Sequence, residues 1–283
     1  MKNIIKLSNI SKKFNNKTIF DQLSLSIQEN QKIGIVAPNG TGKSSLLHII
    51  SGISKPTSGS LIFFDNKTYK SYKDTQFIRK SICCLPLIDH LDSSFTGTDY
   101  LKLYKKSWKS DISIENTIRL FSLENFYSKK INSYSYGMRQ KLCLALVYIS
   151  DASIFILDEY TNGLDTDYRR NISKLLQGLA QKTIITVSHS LEDLQYLCDT
   201  ILFLKKRNVY CTYPDDFDTN NLYIKVDQAI DNVELYSRWT NRYIYQLNPS
   251  LVDSLIKNNK SFSIECLTLE ECYQSVYAEE NKQ

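Results

Sequence analysis

The chain has 283 residues, 42% of them hydrophobic, with a formal net charge of +5. That apolar share excludes wholesale disorder, and the length suits one large domain or two smaller ones. The longest apolar runs, such as Ile154 to Leu157, fall far short of the about 20 residues a membrane-spanning helix needs, and Met1 to Leu7 has no apolar signal core, so the chain is expected inside the cell.

In chain order, Lys32 to Val36 is a β-branched run that breaks at Pro38-Asn39-Gly40, and Gly42 to Ile50 reads as a helix. Ser60 to Phe64 reads as a strand, and Cys83-Cys84 sits in an apolar, strand-like run. From Gly97 to Ser150 the apolar residues fall at helical spacing, Leu101 with Tyr104 and Trp108, Ile114 with Ile118 and Phe121, Leu142 with Ala145 and Ile149, which predicts a helical insertion. Alternation then resumes with a strand at Ser153 to Leu157, a helix at Thr166 to Ala180, a strand at Thr183 to Val187, a helix at Leu191 to Leu197 and a strand at Thr200 to Leu204. Such alternation predicts an α/β fold with a parallel sheet, whose ligands sit at the carboxyl ends of the strands. Composition shifts at Tyr213-Pro214-Asp215-Asp216, read as a linker. Beyond it come strands at Tyr223 to Val226 and Tyr243 to Leu247, a helix at Ser250 to Lys257, an alternating strand through Phe262, Ile264 and Cys266, and a helix at Thr268 to Tyr277. The expected division is a main domain over 1–212, with a helical subdomain at about 88–150, and a small α/β appendage over 213–283.

Seven cysteines without a CxxC pair point to buried reduced thiols, and three histidines are too few for a multi-histidine metal centre. The lysine surplus is spread along the chain and lacks the stripe of a nucleic-acid binder, so no specific nucleic acid is expected.

The first chemical motif is Ala37-Pro38-Asn39-Gly40-Thr41-Gly42-Lys43-Ser44, between a strand and a helix. Glycines let the backbone N–H groups converge on phosphate oxygens, and the helix N-terminus adds a favourable dipole. Lys43 then reaches the β- and γ-phosphates, and Ser44 offers Mg²⁺ its hydroxyl. Ala37 stands where the strict pattern has glycine, which a negative φ tolerates. The second motif is Ile154 to Glu159, an apolar strand that carries Asp158 and Glu159 to its carboxyl end. Asp158 is placed to hold Mg²⁺, and Glu159 to activate water as general base.

With these motifs, the chain resembles the nucleotide-binding subunit of ATP-binding cassette (ABC) transporters. Tyr134-Ser135-Tyr136-Gly137-Met138-Arg139-Gln140 is similar to that family's signature, Tyr160 to Asp165 to the loop after its catalytic Glu, and Ser188-His189 to its switch histidine. The resemblance covers roughly 2–212 and implies a P-loop NTPase core with an N-terminal antiparallel β subdomain. It implies catalytic roles for Glu159, His189 and Lys43, and ATP contacts from Phe14, which stacks on adenine, and from Asn39, Gly40, Thr41, Gly42, Lys43, Ser44 and Ser45. Ser44 and Asp158 would hold Mg²⁺. In such a family Ser135, Gly137 and Met138 face the γ-phosphate bound by a second copy, and Asp165 bridges the two copies. Tyr136 and Met138 look like exporter variants of the signature, and Tyr160 stands where the family usually has Pro. Leu269-Glu270-Glu271-Cys272-Tyr273 is similar to the closing helix of many ABC-2-type export ATPases.

One departure concerns Leu87, placed where the family carries a Gln that contacts Mg²⁺; an aliphatic side chain cannot ligate the ion. Either Asp89 substitutes or the metal keeps another water. The implied protein is an ATPase at the cytoplasmic face of the membrane, paired with a second copy and docked on separate transmembrane permease subunits through the Leu87 to Phe95 loop and the helical insertion. The rivals are a soluble ABC ATPase acting on ribosome or DNA and the ATPase of an ABC importer; the tail favours export.

Overall fold

The structure, a computed structural model, describes residues 2–14, 17–205, 208–212, 222–230, 233–235, 237–239 and 242–277. The linker expected at Tyr213 to Asp216 lies outside these. The chain divides into two compact units, Met1–Tyr210 and Cys211–Gln283.

The first unit opens with two long strands, β1 (Asn3–Phe14) and β2 (Lys17–Gln28), followed by β3 (Lys32–Val36), α1 (Lys43–Ile50) and β4 (Ser58–Phe63). β1 lies between β2 and β4 in an antiparallel three-stranded sheet. β4 stops one residue before the expected end because Phe64 and Asp65 take positive φ and turn the chain. Next come α2 (Tyr72–Ser81) and β5 (Ile82–Cys84). Helix α2 carries no periodic signal in the sequence, because its apolar anchorage is slight: Ile78 is its one buried hydrophobic residue, and Ser71 starts it by accepting from the Asp74 N–H.

The helical insertion holds α3 (Gly97–Trp108), α4 (Ile114–Leu120) and α5 (Tyr136–Ile149). Leu101, Ile118, Phe121 and Leu142, all named from periodicity, are buried. α5 is buried around most of its circumference from Leu142 onward, as befits a helix that is apolar on every side. After it follow β6 (Ile154–Asp158), α6 (Thr166–Gln177), β7 (Thr183–Val187), α7 (Leu191–Leu197), β8 (Thr200–Lys205) and β9 (Asn208–Thr212).

The main sheet has the order β5-β6-β7-β3-β8-β9 and is parallel from β5 to β8. β3 (Lys-Ile-Gly-Ile-Val) and β7 (Thr-Ile-Ile-Thr-Val) are buried at every position, which is why their sequences are rich in β-branched residues and lack the strict polar–apolar alternation of a half-exposed strand. The consequence for function is topological. The carboxyl ends of β5, β6, β7 and β3 stand side by side, so the loops after them line one edge of the sheet.

The second unit contains β10 (Leu222–Val226), β11 (Ser237–Trp239), β12 (Arg242–Gln246), α8 (Pro249–Lys257), β13 (Phe262–Cys266) and α9 (Leu269–Tyr277). Its antiparallel sheet has the order β11-β12-β10-β13. Ile224, Val226 and Tyr245 form its core with Leu251 and Leu255 of α8. Lys225 on β10 is buried and meets Glu271 of α9 at 2.8 Å and Glu265 of β13 at 3.3 Å.

Candidate active site

The loop between β3 and α1 is built around Gly42, whose φ is +102°, and a Cβ there would collide with Ile19 and Phe20. Only glycine fits. Gly42 is also the N-cap of α1 and supplies no side-chain cap, so the first N–H groups of the helix are left for an anion. The Lys43 Nζ donates to the carbonyls of Ala37 at 2.6 Å and Pro38 at 3.2 Å, folded onto its own loop. Burial lowers its pKa, opposed by the carboxylates of Glu159 and Asp158. The Thr41 hydroxyl donates to Pro38 O at 2.7 Å, which braces the loop from within.

Across the sheet edge, Ser44 Oγ donates to Asp158 Oδ2 at 3.2 Å. Two hard oxygen donors are thus adjacent, a set that suits Mg²⁺ sharing its remaining positions with phosphate and water. Among the described residues no group of three or more His, Cys, Asp or Glu could hold a metal ion. Ser44 and Asp158 therefore fit an ion that arrives with its phosphates, not one caged by protein.

Glu159 follows β6 with φ at +50°, a left-handed conformation that costs a non-glycine residue energy. Its N–H is held by Val187 O at 2.9 Å. Its carboxylate meets His189, with Oε1 at 3.3 Å from Nε2 and Oε2 accepting from the backbone N–H at 3.4 Å. Burial raises the Glu159 pKa; the neighbouring His189 opposes the shift and Asp158 adds to it. A carboxylate held reluctant to ionise is a stronger base when it does.

These groups line one cleft of about 630 Å³. Of the residues named from sequence, Asn39, Gly40, Gly42, Lys43, Ser44, Ser45, Asp158, Glu159 and His189 are in its wall. So are Leu87 and Asp89, from the loop after β5. Phe14 is not; it is 51% exposed at the end of β1, with the Lys12 Nζ 4.6 Å above its ring. Ile19 of β2 lines the cleft instead, a residue the sequence reading did not single out and whose apolar side chain carries no motif signal.

Thr41, Ser135, Gly137, Met138 and Asp165 also stand outside that wall. Ser135 is the N-cap of α5, its Oγ accepting from the Met138 N–H at 3.2 Å, and Asp165 caps α6, accepting from the Tyr168 N–H at 2.9 Å. Tyr136 and Gln140 of α5 do line the cleft, together with Asn162. The Tyr136 ring lies over Gly163, whose φ of +72° and missing Cβ let the ring in. Gln140 Nε2 donates to the carbonyl of Tyr160 at 2.7 Å, fastening α5 to the loop after Glu159. That contact joins residues distant in sequence and is invisible without the fold.

A family model described as ABC transporter matches residues 20–162. An uncharacterized ABC transporter ATP-binding protein of Bacillus subtilis, YhcH, is 30% identical over 84% of this chain and 80% of its own. The Nod factor export ATP-binding protein I of Rhizobium meliloti is 29% identical over 71% of this chain, which spans 61% of that relative's length. Among solved structures, a dimeric ATP-binding cassette in a post-hydrolysis state, bound to ADP and Pi, superposes with a TM-score of 0.66 at 24% identity, covering 75% of this chain and 99% of that one. An Atm1-family exporter with ATP bound gives 0.67 at 20% identity over 76% of this chain and 39% of its own. At such identities these structures speak for the fold alone.

Proposed function

The chain belongs to the ABC transporter family, and from that premise we propose that it binds MgATP in the cleft described above and hydrolyses it to drive export through separate transmembrane permease subunits. The observation that carries the reading is the convergence of Lys43, Ser44, Asp158, Glu159 and His189 on one edge of the parallel sheet. The α1 N-terminus and Lys43 would cradle the phosphates, Lys43 leaving the carbonyls of Ala37 and Pro38 to do so. Ser44 and Asp158 would hold Mg²⁺, which when bound draws negative charge from the phosphates.

Glu159 accepts a proton from water as the water oxygen bonds to the γ-phosphorus and the bond to the β–γ bridging oxygen breaks, giving ADP and phosphate. His189, in contact with Glu159, orients that water. Two copies meeting head to tail would place Ser135, Gly137 and Met138 of each against the other's γ-phosphate, with Asp165 near the junction. Support for an exporter comes from relatives named for Nod factor export and from the Leu269 to Tyr273 segment. Among the described residues no helix is long and apolar enough to cross a membrane, so the crossing would fall to the permease chains, with this chain docked on them at the cytoplasmic face.

The test is Glu159→Gln, which keeps the shape and removes the base. Loss of a general base lowers the rate roughly 10²–10⁴-fold. Phosphate release should fall by that order, nucleotide binding should persist, and size-exclusion chromatography with MgATP should show a dimer accumulating. Parental turnover in this variant overturns the assignment.

A further inference from the structure

Behind the edge formed by Glu159 and His189 lies a buried polar cluster without a role in the chemistry so far. Thr161, two residues after Glu159, donates its hydroxyl to Asp193 Oδ2 at 2.7 Å. Arg169 of α6 donates to the same oxygen at 2.6 Å. The Tyr160 hydroxyl is 2.8 Å from Ser173 Oγ and donates to the Asp193 carbonyl at 3.4 Å. Asp193 lies in the first turn of α7, and its N–H is capped at 3.3 Å by Ser190, the residue after His189. Three segments therefore meet at one carboxylate: the loop after Glu159, α6, and the helix after His189.

The plain alternative is that Arg169 and Asp193 simply fasten α6 to α7. The same two helices are already linked at the surface by Arg170 and Glu192, at 3.3 Å. Fastening helices also needs no third partner, yet the Asp193 carboxylate is shared with the loop that carries Glu159. That loop has something to be held for. Glu159 is in a left-handed conformation that persists only where its surroundings over-determine it. His189, by contrast, has a side chain 60% exposed, so little packing fixes it and its place depends on the backbone running into α7.

We propose that Asp193 is a positioning residue: by holding Thr161 and Arg169 on one oxygen, with the Tyr160 hydroxyl as a second strut, it sets Glu159 and His189 at their working separation. Tyr160, in place of the family's usual Pro, supplies a hydroxyl that a Pro could not. The inference rests on the reading that Glu159 and His189 act in hydrolysis.

The test uses the full chain and steady-state phosphate release from MgATP. Thr161→Val keeps the shape and removes one hydrogen bond. Misplacing reacting groups by 1 Å can cost about 10²-fold, and loosening one of several struts should lower kcat about ten-fold. KM should stay within about two-fold, because binding is built elsewhere. Thr161→Ser should restore kcat, Tyr160→Phe should show a smaller loss, and Arg170→Gln, which removes the surface pair with Glu192 and the contact over the Tyr196 ring but leaves the Asp193 cluster intact, should match the parent. Parental kcat in Thr161→Val, equal impairment in Thr161→Ser, or an equal loss in Arg170→Gln would overturn the proposal. Asp193→Asn is the stronger perturbation; if it fails to fold, the Thr161 pair still decides. Glu159→Gln run in parallel separates the two layers: if it turns over at the parental rate the hydrolysis reading fails, whereas a dead Glu159→Gln beside a parental Thr161→Val sinks only the role of Asp193.

Discussion

Each unit of the chain builds an ion pair on a buried carboxylate, Arg169 with Asp193 at 2.6 Å in the larger and Lys225 with Glu271 at 2.8 Å in the smaller, and the company they keep differs. In the larger unit the cation side chain is 32% exposed, and the shared oxygen also receives a hydroxyl from the loop that carries Glu159. In the smaller unit the side chains are 2% and 5% exposed, and Glu271 spends its other bond on the Thr268 N–H, a capping contact at the start of α9. The first pair stands next to chemistry, the second joins a helix to a sheet. Burying charge is costly in both places, and what it secures has to be read from the third partner.

The largest effect that would sharpen this contrast is Lys225→Met. It leaves Glu271 buried with only a backbone partner, and breaking a buried pair from one side costs about 3–5 kcal/mol. Hydrogen exchange on the full chain should show β10 and α9 losing protection, while nucleotide binding and phosphate release by the larger unit stay parental. Loss of ATPase activity in that variant would break the comparison, since it would tie the second pair to the cleft.

A second effect follows from the raised Glu159 pKa. The working form of a general base is the carboxylate, so activity is lost as pH falls through that raised value. The acid limb of kcat/KM, which reports the nucleotide-free protein, should therefore lie above the pH at which an ordinary glutamate titrates. A kcat/KM that holds flat down to the ordinary carboxylate range contradicts a Glu159 pKa raised by burial.

Smaller effects probe the cleft wall. Leu87 is exposed and offers no ligand oxygen, so Leu87→Gln should change ATPase activity of the isolated chain only a few-fold, whereas Leu87→Asp should disturb permease association more than nucleotide affinity. Ile19 lines the cleft and Phe14 does not. At roughly 0.8 kcal/mol per buried methylene, Ile19→Ala should weaken ATP binding several-fold and more than Phe14→Ala. Titration of each variant with ATP measures both, and the reverse order would restore Phe14 as the base-facing residue.

Much of the larger unit was legible because its motifs sit where apolar strands end. Lys32 to Val36, Ile154 to Leu157 and Thr183 to Val187 are short runs dominated by aliphatic and β-branched residues, and each is followed by residues with unusual demands: a glycine at φ +102°, paired carboxylates, a lone histidine. What the sequence could not show depends on distance. Gln140 reaching Tyr160, and Thr161 and Arg169 sharing Asp193, join residues whose spacing carries no signature. Helix α2 escaped notice because it buries Ile78 and little else, and β11 because three residues are too few for a period-2 pattern. The likeness of Phe14 to an adenine-stacking residue came from its place along the chain, which fixes neither which way a strand end faces nor what lines the cleft.

The central claim is that Lys43 holds the nucleotide and Glu159 works on it. Its most direct test is phosphate release and ATP binding measured side by side for the parent, Lys43→Ala and Glu159→Gln. The account predicts release by the parent alone, binding by the parent and by Glu159→Gln, and neither in Lys43→Ala. Undiminished release from Glu159→Gln, or undiminished binding and release by Lys43→Ala, would contradict it.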